Sequence, residues 1–206
     1  MKIQNLSFAY GDKVIFDNLS LDLNDKRICL MSPSGKGKST LLRLIAGLLS
    51  QSSGSIEKDF EKCAFMFQDD RLLNHLTALK NVACVGDKKD TAKAKELLDF
   101  LEIDQNLYPR EMSGGMCRRV ALARALHYGG DLLLLDEPFT GLDERLILKI
   151  TDYLKTLNCR IIMTTHDISD AKLLDAATIS LDIKTRSVFM TSQSLPLRGR
   201  GTACGG

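Results

Sequence analysis

What this chain lacks narrows what it can be. Basic and acidic side chains nearly cancel, 28 against 26 for a net charge of +2, so it carries no electrostatic footprint for a nucleic-acid partner. No apolar run approaches the ~18 residues of a membrane-spanning helix. The opening MKIQNLSFAY alternates apolar and polar residues where a secretory segment would need an apolar core. No C-x-x-C pair occurs among Cys29, Cys63, Cys84, Cys117, Cys159 and Cys204. They read as reduced thiols packed as small hydrophobes in a cytosolic protein, not as disulfides or a zinc site. No internal repeat is evident.

What is there is an ordinary globular balance, 44% hydrophobic and 26% charged over 206 residues, enough for one large domain with a smaller insert. The stretch Ser32-Pro33-Ser34-Gly35-Lys36-Gly37-Lys38-Ser39-Thr40 organises the rest. An apolar run, Ile28 to Met31, leads into it, and an apolar-periodic stretch to Leu49 leads out. Strand, glycine-rich loop, Lys-Ser and helix follow in the order of a phosphate-binding loop. Small residues let backbone N–H groups turn around an anion, and the helix start adds partial positive charge. Lys38 can then reach the β- and γ-phosphates and the Ser39 hydroxyl a Mg²⁺ ion. The pattern G-x-x-x-x-G-K-[ST] asks for glycine where Ser32 stands, so the turn there must be one that a β-carbon tolerates.

The flanks supply further candidates. Leu6, Phe8 and Tyr10, a Gly11-Asp12 turn, and Leu19, Leu21 and Leu23 alternate as antiparallel strands. Tyr10 is either a half-buried strand residue or a face on which adenine could stack. Ser50 to Gly54 read as a loop. Cys63 to Phe67 form a short strand ending at Gln68, whose amide could meet Mg²⁺ or a water or be an ordinary loop group. Residues 71–129 turn helical, with Ala94, Leu97, Leu98 and Leu101 at amphipathic spacing and lysines, including Lys88 and Lys89, on a solvated face. Ser113-Gly114-Gly115 opens a helix over about Met116 to His127, as an anion-binding cap or a plain N-cap. Leu132 to Leu135 form a strand buried on both faces and end in Asp136-Glu137-Pro138. Carboxylates there need a cation opposite; Asp136 suits Mg²⁺ and Glu137 suits deprotonating or orienting a water. Asp143 precedes a helix with Leu146, Ile150 and Leu154 on one face. The strand from Arg160 to Thr165 ends at His166, at the edge where ligands of parallel sheets gather, with Asp167 as a helix cap. His75 and His127 are surface or packing residues. Ile179 to Leu181 and Val188 to Met190 make a closing strand pair.

SPSGKGKST, FQDDRL, MSGGM, LLLLDEP, TGLD and TTHD, in this order and spacing over residues 2–190, resemble the ATP-binding cassette (ABC) family, the nucleotide-hydrolysing subunits of membrane transporters. PREMSGG and LLNHLTALKNV look more like the importer ATPases of the nitrate, sulfonate and taurine type. The resemblance implies an α/β fold: a P-loop core with a mainly parallel sheet, an N-terminal antiparallel β subdomain and an inserted helical subdomain. It implies a single cassette over 1–190, with the insert at about 71–129; residues 191–206, Gly-, Ser- and Arg-bearing without periodicity, read as a disordered tail. ATP and Mg²⁺ would be the cofactors. Tyr10 would stack adenine, and Ser34, Gly35, Lys36, Gly37, Lys38, Ser39 and Thr40 would cradle the phosphates. Ser39, Gln68 and Asp136 would hold the metal. Glu137 would be the catalytic base, His166 the switch beside the γ-phosphate and Gln68 the link to the membrane partner. Ser113, Gly114 and Gly115 would complete the site of a second subunit, and Asp143 would be the D-loop aspartate. The partners implied are membrane permease subunits and a second copy arranged head to tail, with no nucleic acid, at the inner face of the cell membrane. Met112 and Met116 stand where the family prefers Leu and Gln, the second on the dimer face. The alternative is a soluble or regulatory ABC-class ATPase uncoupled from transport.

Overall fold

A strand covered on both faces buries every residue of a run such as the four consecutive leucines from Leu132 to Leu135. The computed structural model of the chain describes residues 1–33, 35–85, 90–182 and 187–191. Ser34, Lys88, Lys89, Cys204 and all of the tail expected from 191 except Thr191, which ends a strand, lie outside these. In chain order the elements are β1 (Lys2–Tyr10), β2 (Lys13–Asp22), β3 (Arg27–Met31), α1 (Lys38–Ala46), β4 (Ser53–Glu57), β5 (Cys63–Met66), α2 (Ala78–Ala83) and α3 (Thr91–Phe100). A 3₁₀ turn (Pro109–Glu111), α4 (Gly114–Tyr128), β6 (Leu132–Asp136), α5 (Glu144–Thr156), β7 (Arg160–Thr165), α6 (Ile168–Leu173), β8 (Ala177–Asp182) and β9 (Ser187–Thr191) follow.

Strand β6 is buried along its whole length, and its side chains divide by parity, as pleating requires. Leu132 and Leu134 join one apolar cluster, Leu133 and Leu135 the other. The neighbouring strands obey the same rule: Ile28, Leu30 and Ile162 point to the first cluster, Cys29, Ile161 and Met163 to the second. The first is closed by α1 through Leu41, Leu42, Leu44 and Ile45 and by β1 and β2. The second is closed by α2 to α6, through residues such as Val82, Leu98, Leu122, Ile150 and Ala171. At about 1.5–3 kcal/mol for each large apolar side chain fully buried, the two faces together supply the main stabilising term.

The large sheet runs β5-β6-β7-β3-β8-β9. All its pairings are parallel except β8 with β9, which is antiparallel. The fold class implied by the sequence is thus present: a mainly parallel core, the antiparallel sheet β2-β1-β4, and helices α2, α3 and α4 packed on one another between β5 and β6.

Two boundaries differ from the sequence reading. Helix α1 stops at Ala46, where Gly47 closes it, short of the expected Leu49. Part of the expected loop at Ser50 to Gly54 is strand β4, which pairs with β1. Its pattern hid it, because only Ile56 turns inward. The backbone approach carries the pairing: a β-carbon on Gly54 (φ +81°) would lie 2.3 Å from the Asn5 carbonyl oxygen, which no side chain permits.

Candidate functional site

A parallel sheet sends the C-terminal ends of its strands to one edge. Here β5, β6, β7 and β3 lie side by side in that order, so the residues after them form a row: Gln68, then Asp136 and Glu137, then His166, then the loop from Ser32 to Lys38. The register sharpens this, with Asp136 level with Thr164 and Met31 level with Thr165.

The loop makes an anion cradle. Gly35 and Gly37 are left-handed, and Gly37 caps α1 without a side-chain hydrogen bond. The first N–H groups of α1 therefore meet no capping side chain, and its positive end faces the loop. Ser32 is not among the residues at positive φ, so the turn accepts its β-carbon. A cavity of about 250 Å³ opens here, lined by Tyr10, Lys13, Ile15, Gly35, Lys36, Gly37, Lys38, Ser39, Thr40, Gln68 and Glu137. Tyr10 stands at its edge, 44% exposed, with its ring edge-on to Phe8 at 4.8 Å.

Gly37 has no room for anything larger. A β-carbon there would come within 2.8 Å of Ile15 Cγ2 and 2.9 Å of Phe16 Cζ, at φ +81°. Gly37→Ala should destabilise the fold by about 1–3 kcal/mol and weaken binding of a fluorescent ATP analogue by at least roughly tenfold. Denaturant titration and fluorescence titration measure the two. Unchanged values would mean the loop is not held by β2.

Lys38 is 5% exposed. Its ammonium donates to the Ser32 carbonyl at 2.6 Å and lies 3.5 Å from His166 Nε2. Burial pushes its pKa below the ordinary lysine value, while the carboxylates of Glu137 and Asp136 pull it back up. His166 Nε2 is also 2.6 Å from Glu137 Oε1. Lys38 can only donate, so a proton on Nε2 belongs to the Glu137 contact. Gln68 Nε2 approaches the other carboxylate oxygen of Glu137 at 3.5 Å. Lysine, imidazole, carboxylate and amide thus meet within hydrogen-bond reach, as expected of the strand tips.

Asp136 is 1% exposed. Its Oδ1 accepts from the Thr164 hydroxyl at 2.7 Å, and its Oδ2 is buried with no partner among the described residues. A buried carboxylate oxygen left unpaired is costly unless a cation or donor arrives. Among the described residues no three His, Cys, Asp or Glu side chains gather to hold a metal, so an ion here would draw on neutral oxygens as well, such as the Ser39 hydroxyl, the Gln68 amide or a ligand.

The remaining candidates lie apart from this cavity. The Ser113 hydroxyl accepts from the Met116 N–H at 3.2 Å and caps α4, with Ser113 and Gly114 exposed. The Asp143 carboxylate caps α5 by accepting from the Leu146 N–H at 2.9 Å. Neither group lines the cavity of its own chain. Met116 packs partly against the helical core. Asp167 caps α6 through the Ser169 N–H at 2.8 Å, as its position suggested. Behind His166, burial raises the pKa of Asp170 against the opposing hydrogen bond from Thr165. His127 is buried, a packing residue, and each described cysteine is a free thiol.

Two residues that hold the site were not singled out from the sequence. Thr164 accepts from the Glu137 N–H at 2.9 Å while donating to Asp136. Arg118 places its guanidinium against the carbonyls that end β5 and β6. The signal for Arg118 was present: with Ala121, Leu122 and Ala125 it falls at i, i+3, i+4, i+7, a charge in an apolar stripe.

Comparison with known proteins agrees with this geometry. Residues 16–140 match the family described as ABC transporter. The chain is 37% identical to the aliphatic sulfonates import ATP-binding protein SsuB 2 of Pseudomonas syringae pv. tomato, over 84% of this chain and 78% of that one. It is 37% identical to the ergothioneine transport ATP-binding protein EgtV of Helicobacter pylori, over 88% and 96%. Among solved structures, the dimeric bacterial ABC transporter cassette MJ0796 superposes with a TM-score of 0.79 at 29% identity, covering 87% of this chain and 93% of that one. A post-hydrolysis dimer of the same cassette bound to ADP and Pi superposes with a TM-score of 0.76.

Proposed function

Because this chain belongs to the ABC transporter family of ATP-binding, ATP-hydrolysing subunits that energise importers, we propose that it works as a head-to-tail pair of cassettes on membrane permease subunits. The observation that carries this is the meeting of Lys38, Glu137, His166 and Gln68 beside the loop cavity, while the Ser113 cap has no place in its lining. One chain holds half of what a triphosphate needs, and a second copy supplies the other half.

Phosphoryl transfer to water is mostly positioning and electrostatics. Tyr10 would stack the adenine, and residues 34–40 would wrap the phosphates with N–H groups and the Lys38 ammonium. Glu137 would orient the attacking water and take its proton, leaving His166 to hold the γ-phosphate end. Ser113, Gly114 and Gly115 of the opposing copy would close over that phosphate, and Asp143 would sit at the junction. The orphaned Asp136 oxygen suits Mg²⁺, which Ser39, Asp136 and Gln68 would hold and which would neutralise charge on the β- and γ-phosphates.

Among the described residues no helix is long and apolar enough to cross a membrane; the permease subunits would take up the energy. A groove of about 490 Å³, with Phe65, Phe67, Leu73, Val85 and Tyr128 for walls and Arg71 and Arg124 in its lining, lies beside the segment Gln68 to Leu79. It offers a permease loop an apolar seat, on the inner face of the cell membrane.

If the active unit is a pair, the rate of phosphate release per chain should rise with protein concentration and level off. A rate per chain that is the same at every dilution, or no ATP hydrolysis by the chain purified with its membrane partner, would overturn the proposal.

A further inference from the structure

We infer that Arg118 is a positioning residue that locks the Gln68 and Glu137 loops together and ties both to the helix beginning at Ser113. The inference rests on the catalytic roles proposed above for Glu137 and Gln68.

Arg118 lies on α4 and is 5% exposed. From the ends of β5 and β6 it gathers four carbonyls. Nη1 donates to Phe67 and Gln68, both at 2.8 Å, and Nη2 to Asp136 and, at 2.8 Å, to Glu137. Nε adds a second bond to the Glu137 carbonyl at 3.2 Å. The Asp70 carboxylate, 3.0 Å from Nη1, balances the charge. A planar guanidinium with five donors can serve two loops at once; an ammonium cannot span both.

Glu137 gives the clamp a task. Its φ is +51°, a conformation side-chain-bearing residues rarely adopt and that persists only when surroundings over-determine it. Its N–H is taken by Thr164 and its carbonyl by Arg118. These two bonds aim the carboxylate toward His166 and Gln68. Arg118 also stands five residues into a helix capped by Ser113, so a shift of α4 would move the guanidinium that holds the Glu137 and Gln68 carbonyls. The clamp therefore acts on where the carboxylate points. It does not touch the phosphate cradle around Lys38.

The test compares Arg118→Gln and Arg118→Lys with the unaltered chain, in steady-state ATP hydrolysis and in binding of a fluorescent ATP analogue. Asp70→Asn serves as a second route that leaves the guanidinium in place. If Arg118 positions Glu137, kcat falls by roughly tenfold to a hundredfold in Arg118→Gln, since a misplacement of about 1 Å has that effect. Analogue affinity stays close to the unaltered value even though the melting temperature of Arg118→Gln falls as the carbonyls lose their donor, Arg118→Lys recovers part of the rate, and Asp70→Asn loses less than Arg118→Gln. Unchanged kcat in a folded Arg118→Gln would overturn the inference, and so would parallel loss of affinity, rate and melting temperature in all three variants. If the unaltered chain hydrolyses no ATP, the fault lies instead with the proposed function.

Discussion

Glu137→Gln should lower ATP turnover by a factor of about 10²–10⁴, the usual contribution of a general base, and leave ATP binding intact. The substitution keeps size and shape and removes only the charge and proton affinity. The amide that replaces the carboxylate can still meet His166 and Gln68, and the backbone there remains held by Thr164 and Arg118, so the melting temperature should stay within about 2 °C. With hydrolysis blocked, the triphosphate proposed to join two cassettes should persist. Light scattering should therefore find dimers with ATP and monomers without it. Retained turnover would remove Glu137 from the chemistry, and persistent monomers with bound ATP would remove the pairing.

The second large effect is expected at Lys38, with opposite signs for binding and for stability. Lys38→Ala takes away an ammonium buried beside the loop cavity, and ATP affinity should drop by about two orders of magnitude, in keeping with ~1.5–3 kcal/mol for a hydrogen bond to a charged group. The nucleotide-free fold should not suffer equally. Burial disfavours the charged lysine, and its hydrogen bond goes to a Ser32 carbonyl only partly covered. The melting temperature of the empty variant should match or exceed that of the unaltered chain. The unfolded chain also holds the Lys38 proton more tightly than the fold does. Stability of the unaltered chain therefore gains from rising pH between the lowered pKa and the ordinary 10.5, and the variant lacks this gain. Calorimetry across alkaline pH reads both.

The sequence carried the strand tips well because their signals are local. A glycine loop between an apolar strand and a helix, a leucine run ending in two acids, and a strand ending in histidine each announce one tip, and parallel pairing brings the tips together. Strand β4 escaped because its pairing with β1 depends on the close backbone approach at Gly54, not on side-chain burial. The positive φ of Glu137 and its two supports escaped because Thr164 and Arg118 lie 27 and 19 residues away in sequence, and only the folded register joins them. Ser113 and Asp143 read as caps in the structure; the residues themselves offered an anion-binding cap at Ser113, and the resemblance alone suggested more for Asp143.

A structure of Glu137→Gln with ATP and Mg²⁺ tests the central claim most directly. Two chains should enclose two nucleotides, each γ-phosphate lying between Lys38 and His166 of one copy and the Ser113 cap of the other, with the ion against the orphaned oxygen of Asp136. A nucleotide bound elsewhere, or held by one chain with Lys38 still bonded to Ser32, would contradict it.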